Sequence, residues 1–139
     1  MIILDSNVVS ALMRLEPDPP VVAWLDLQPR ASLWTTAVTI LEIRHGLAIM
    51  PTGRRRNLRL AAFDRVIVDD IERRILSFDE TAAEHAASLM AARQRSGRAG
   101  DLRDTMIAGI ALAQRATLAT RNVRHFDDLT VPVVDPWQA

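Results

Sequence analysis

Residues 1–13, Met-Ile-Ile-Leu-Asp-Ser-Asn-Val-Val-Ser-Ala-Leu-Met, decide the fold. A short apolar run that ends abruptly in an acid, Asp5, reads as a strand buried on both faces. Ser6 and Asn7 are good helix starters, and the spacing behind them predicts a helix to about Arg14. Pro17, Pro19 and Pro20 then break the chain. A strand followed at once by a helix is the opening of an α/β domain.

The same alternation continues outward. A second helix is expected over about 21–28, and Ser32–Thr36 is β-prone. Helical spacing follows from Ala37 to Met50, ending at Pro51 and Gly53, and again from Arg54 to about Arg65. Val66–Val68 and Ile75–Phe78 compete as short strand or helix end. Residues 80–96 form an amphipathic helix, read with Ala83, Ala87 and Met90 on one face. A helix from about Leu102 to Arg115 follows Gly97 and Gly100. A strand at Thr117–Thr120, a helical turn at Asn122–Phe126 and a strand at Val131–Val134 complete the pattern. The expectation is one α/β domain over residues 1–139, with a mostly parallel central sheet flanked by helices.

Composition narrows the function classes. The chain is 49% apolar and 24% charged, ordinary values for a soluble domain. It has no cysteine, which excludes disulfides, zinc-thiolate sites and Cys nucleophiles. No stretch nears the roughly 18 apolar residues of a membrane span, and Asp5 interrupts any leader-like core, so the expected location is cytoplasmic. Net charge is zero, which by itself argues against nucleic acid. All 17 basic residues are Arg, however. The guanidinium fork suits phosphate, although base composition of the gene would produce the same bias.

In parallel sheets, ligands collect beyond the carboxyl ends of the strands. Asp5 follows the first strand, Glu42 lies early in the helix after the second, and Asp104 lies in the first turn of the helix after the glycines. Thr120-Arg121-Asn122 ends a later strand. Each acid has a structural alternative. Asp5 or Ser6 can cap the first helix, Thr39 to Glu42 reads as a capping box, and Asp101 with Asp104 suits a helix start. Their shared edge tells the other way. The helix behind Asp104 is apolar nearly all round and belongs inside the domain. Clustered, partly buried carboxylates repel one another unless a cation neutralises them. Oxygen-only ligands point to Mg²⁺, or Mn²⁺ in its place.

Four blocks carry a resemblance: IILDSNVVSALM (2–13), TTAVTILEIRHGL (35–47), DTMIAGIALA (104–113) and LATRNVRHFDDL with PVVDPW (118–137). In this order they resemble bacterial PIN-domain ribonuclease toxins of the VapC family, most of all its FitB-like and plasmid-stability branch. The resemblance implies Mg²⁺-dependent RNA cleavage without a covalent intermediate. It also implies a small DNA-binding antitoxin as partner, a homodimer and a toxin–antitoxin hetero-oligomer. The family's metal-binding acids map onto Asp5 and Asp104, its third acid onto Glu42, and its small hydroxyl residue onto Ser6. Where the family often carries a fourth acid this chain has Asn122, which brings an oxygen without charge.

Arg93, Arg95, Arg98 and Arg103 flank Asp104 and are the candidate RNA contacts, whereas Arg54–Arg56 with Arg59 read as a solvated helix face. His45, His85 and His125 lack ligand spacing, and the three tryptophans read as core or interface. The chain has no Gly-x-Gly-x-x-Gly turn for a dinucleotide. It has no Lys for receiver-type phosphoacceptor chemistry and no Asp-x-Asp for a dehalogenase-type phosphatase. The alternative that remains is an inactive PIN module that only binds its partner, as a plasmid-stability protein would.

Overall fold

In the computed structural model, which describes residues 1–139, β1 (Ile2–Leu4) is the middle strand of five. β2 (Leu33–Thr36) and β3 (Ile75–Leu76) lie in turn on one side, and β4 (Thr117–Ala119) and β5 (Val133–Val134) on the other. The order is β3-β2-β1-β4-β5 and every pairing is parallel. The chain therefore leaves β1 toward one edge, then returns to its other side. That reversal opens a crevice at the carboxyl ends of β1 and β4, where ligands of open parallel sheets bind.

Six helices cover the faces: α1 (Ser6–Leu12), α2 (Pro19–Asp26), α3 (Ala37–Ala48), α4 (Arg54–Arg65), α5 (Glu80–Arg95) and α6 (Leu102–Gln114). None is long and apolar enough to cross a membrane. Strand alternation divides the core in two. Leu4 and Ala119 point into a cluster with Val8, Val9, Ile43 and Phe63, while Ile3 and Leu118 point into one with Ile107, Ile110 and Phe126. The period-two side-chain rule thus builds a sheet with helices on both faces.

Local readings held where chain chemistry is strong. Two shifted. α2 begins at Pro19 rather than Val21, because proline is well suited to the first helical turn. Val66–Val68 is not a strand: residues Val66–Asp70 form a π-helical continuation of α4, and only Ile75–Leu76 pairs as β3.

α5 corrects a larger expectation. The buried residues are Ala82, Ala86 and Arg93, while Ala87 and Met90 are exposed. The alanine run supports either stripe, and α6 decides between them. A Cβ on Gly109 would stand 2.5 Å from the Ala82 carbonyl oxygen and 2.8 Å from Ala86 Cβ. Only glycine lets the two helices approach so closely, and that contact turns Ala82 and Ala86 inward.

Candidate active site

Asp5 emerges from β1 with its amide bonded to the Ala119 carbonyl (3.0 Å), so its side chain starts at the crevice. The residue is only 2% exposed. It is the N-cap of α1, with Oδ1 accepting from the Ser6 amide at 2.8 Å. Its Oδ2 accepts from the Thr120 hydroxyl at 2.7 Å. Asp5 thus caps α1 through one oxygen and meets Thr120 at the sheet edge through the other, so capping does not exclude a role in a site. Burial pushes its pKa up, Asp104 adds to this, and the bonds from Thr120 and Ser6 oppose it.

Glu42 stands in α3, half-buried, but not in a capping box. The helix starts three residues earlier than that box requires, with Thr36 as N-cap accepting from the Thr39 amide at 3.1 Å. Released from capping, Glu42 presents a buried Oε1 with no hydrogen-bond partner. Its pKa is raised, first by burial and then by Asp5, with Asp104 and Asp101 adding and Arg103 opposing. Buried acceptors are rarely left unpaired, and such an atom calls for an explanation.

Asp104 lies in the first turn of α6, whose cap is Asp101 accepting from the Arg103 and Asp104 amides. Asp104 itself is free of capping, and its Oδ2 lies 2.9 Å from His125 Nδ1. Asp5, Glu42 and Asp104 therefore share one electrostatic neighbourhood. No three His, Asp or Glu side chains stand at closed metal-ligating spacing. The donor chemistry nonetheless fits a hard divalent cation: carboxylate oxygens only, two of the acids raised by burial and by a neighbouring carboxylate, and one oxygen unbonded.

Thr120 and Asn7 escaped the list of candidates drawn from sequence. Thr120 is fully buried; besides donating to Asp5, it accepts from Asn7 Nδ2 at 3.2 Å and from the Asn122 amide at 3.1 Å. Asn7 also accepts from the Arg121 amide at 3.1 Å, tying α1 to the end of β4. The only available signal was a hydroxyl residue ending a strand. Asn122 is exposed, joins this network through its backbone, and makes no side-chain cap to the turn Val123–His125. Ser6 and Glu42 together line a groove of about 1370 Å³ between α1, α3 and α4. Arg54, Arg55 and Arg59 are exposed, as a solvated face requires, and border that groove.

The arginines flanking Asp104 separate into different roles. Arg93 is 4% exposed, donates to both Asp128 oxygens at 2.8 and 2.9 Å, and donates again to the His125 carbonyl and Thr105. Its assignment as an RNA contact is corrected: its donors are consumed in holding α5, α6 and the C-terminal segment together. Arg98 pairs with Asp127 at 2.6 Å, Arg103 lies 3.9 Å from Asp101, and Arg95 is exposed at the end of α5.

One consequence concerns Glu42. Because its folded-state pKa is raised, ionisation weakens the fold, and stability falls as pH rises through the raised value. Glu42→Gln is expected to be more stable than wild type near neutrality, by less than about 1 kcal/mol once solvent screening is allowed for. The gap should close as the pH falls into the ordinary carboxyl range. Thermal melts across pH would show it; a less stable variant at neutral pH would mean that Glu42 supports the fold.

A parallel sheet covered by helices on both faces, with carboxylates gathered at its switch point, defines a class of α/β domains. The PIN domain family model matches residues 2–131, and the chain belongs to the PIN domain family. It is 37% identical over 139 residues, all of both chains, to the plasmid stability protein StbB of Pseudomonas syringae pv. tomato. It is also 37% identical over 138 residues, 99% of each chain, to the VapC ribonuclease Y4jK of Sinorhizobium fredii. Toxin FitB of Neisseria gonorrhoeae is 34% identical over 137 residues, again 99% of each. The structure of FitAB bound to the IR36 DNA fragment aligns with a TM-score of 0.88 at 34% identity, covering 99% of this chain and 96% of that one.

Proposed function

We propose that this chain, working as one PIN domain over residues 1–139, is a metal-dependent ribonuclease toxin of the cytoplasm, silenced by a small DNA-binding antitoxin. The observation that carries the reading is the unbonded, buried Glu42 Oε1 beside Asp5 and Asp104, whose charges add to burial in raising the Glu42 pKa. Relatives named as ribonuclease, toxin and plasmid stability protein over their full lengths support it.

Asp5 and Asp104 would hold Mg²⁺ or Mn²⁺, with Asn122 as an uncharged auxiliary oxygen. Such an ion, when bound, polarises a phosphate oxygen and lowers the pKa of water. The chain's residues do the rest. Thr120 and the Ser6 amide fix the two oxygens of Asp5, and His125 orients Asp104. Glu42 takes a proton from the attacking water as that oxygen bonds to phosphorus and the P–O bond to the leaving strand breaks. Arginine near the mouth offsets the developing charge. A cationic side chain of the antitoxin, entering from the groove that Ser6 and Glu42 line, would pair with the same carboxylates.

Asn122 at the fourth acid position favours a second reading, a partner-binding module without activity. Incubation of the purified chain with labelled single-stranded RNA, in Mg²⁺ or in EDTA, separates the two. Cleavage in Mg²⁺ that EDTA abolishes is expected. An intact substrate in both leaves the binding module.

A further inference from the structure

A cavity of about 420 Å³ opens between the end of α5, the start of α6 and the turn Val123–His125. Its volume falls within the roughly 300–1,000 Å³ of built ligand sites. Asp104 forms part of its wall, so it adjoins the carboxylate site without containing Asp5 or Glu42.

The charges around it are nearly all committed. Arg93 is held by Asp128, Arg98 by Asp127, Asp104 by His125, and Asp101 by the first amides of α6. Those amides are therefore not the attraction. What remains is the exposed guanidinium of Arg124, which lines the cavity and pairs with no carboxylate. Its backbone is pinned, because Arg98 Nη2 donates to the Arg124 carbonyl at 2.6 Å. With the backbone already ordered, binding costs only the freedom of the side chain itself. The opposite wall stays low: a Cβ on Gly100 would meet Arg93 Nη1 at 3.1 Å, so any larger residue would crowd that buried guanidinium.

We infer that this cavity is a phosphate subsite for the RNA backbone, in which Arg124 binds a phosphodiester next to the one held at the carboxylates. The inference rests on the proposed ribonuclease reading and adds a residue that neither sequence spacing nor the carboxylate geometry singled out. A bidentate Arg–phosphate contact matches a fork whose donors are free, and sharing the Asp104 wall favours the cleaved strand over a protein ligand.

The test compares wild type, Arg124→Gln, Arg124→Lys and, as control, Arg115→Gln. Arg115 lies just beyond the far end of α6, roughly 16 Å along the axis from Asp104. Anisotropy with a fluorescent single-stranded RNA in EDTA, across a salt series, reads binding; initial rates in Mg²⁺ read cleavage. Arg124→Gln should raise Kd and KM about 5- to 10-fold with kcat within twofold. Its log Kd against log salt slope should be shallower by about 0.7, the loss of one phosphate contact on a single strand. Arg124→Lys should restore the slope, and Arg115→Gln should match wild type.

If wild type cleaves RNA but Arg124→Gln keeps its slope and KM, the subsite is overturned and the ribonuclease reading stands. If wild type binds without cleaving and the slope still drops, the subsite stands and catalysis fails. RNA binding by neither protein removes both. Loss of affinity for a polyglutamate peptide alone, with RNA unaffected, assigns the cavity to an acidic protein partner and overturns the proposal.

Discussion

Asp5→Asn is expected to lower kcat/KM for RNA by roughly 10³-fold or more, since it removes the most buried carboxylate of the site. The fold should survive. An amide oxygen cannot accept from both the Ser6 amide and the Thr120 hydroxyl as the two carboxylate oxygens do. One hydrogen bond is then lost, at a cost of about 1 kcal/mol. Burial already disfavours the charge, as the raised pKa of Asp5 records, so removing it offsets part of that loss. The melting temperature should consequently stay within a few degrees of wild type. Mg²⁺ should raise the melting temperature of wild type and not of the variant, by linkage. A variant that cleaves normally removes Asp5 from the site. One that melts far below wild type makes it a structural cap.

Arg93→Met should give the largest loss of stability, about 2–3 kcal/mol, because the buried guanidinium's charged hydrogen bonds to the partly exposed Asp128 and to its neighbours are lost. Methionine replaces much of the aliphatic stem but none of the donors that reach Asp128, the His125 carbonyl and Thr105. Roughly 5–10 °C in Tm should follow for a domain of this size. Acid provides a second readout. The bond from Arg93 holds the Asp128 carboxyl below its ordinary pKa. A depressed carboxyl stabilises the fold above its unfolded value, and that contribution disappears as the pH falls through the folded one. Wild type should lose this component in acid, and Arg93→Met should lack it at every pH. A shift of only a degree or two, with an unchanged acid limb, would show that Asp128 is content in water.

The two outcomes also separate the layers of the molecule. Loss of cleavage at Asp5 leaves packing intact, whereas loss of Arg93 loosens the junction that carries His125 and so disturbs Asp104 from behind. Arg93→Met should therefore reduce activity through the fold, in proportion to the unfolded fraction and to misplacement of His125.

Much of the architecture is written locally. An apolar tripeptide ending in Asp5, proline at the start of α2, and caps at Thr36, Asp79 and Asp101 each act within a few residues. That short reach is why alternation, most helix starts and the parallel class were legible from residue order alone, although the prolines before α2 read as a break and Thr39 as the cap of α3. The convergence of Asp5, Glu42 and Asp104 was legible for a related reason. Each lies just after a strand or in the first turns of a helix, and a parallel sheet gathers such positions at one edge.

What needed the tertiary structure was every choice between locally equal options. Alanine spacing in α5 permits either stripe inward, and only the approach of Gly109 on α6 selects Ala82 and Ala86. Arg93 and Arg124 are the same residue type near the same acid. One is consumed by Asp128, 35 positions away in sequence, and the other is left unpaired at a cavity. Thr120 gains its meaning from Asp5 across 115 positions. Sequence by itself determined which elements form, because backbone preference, capping and side-chain period are short-range. Which polar groups are spent inside and which remain for a ligand was decided by packing, because hydrogen bonds and desolvation depend on neighbours that only the folded chain brings together.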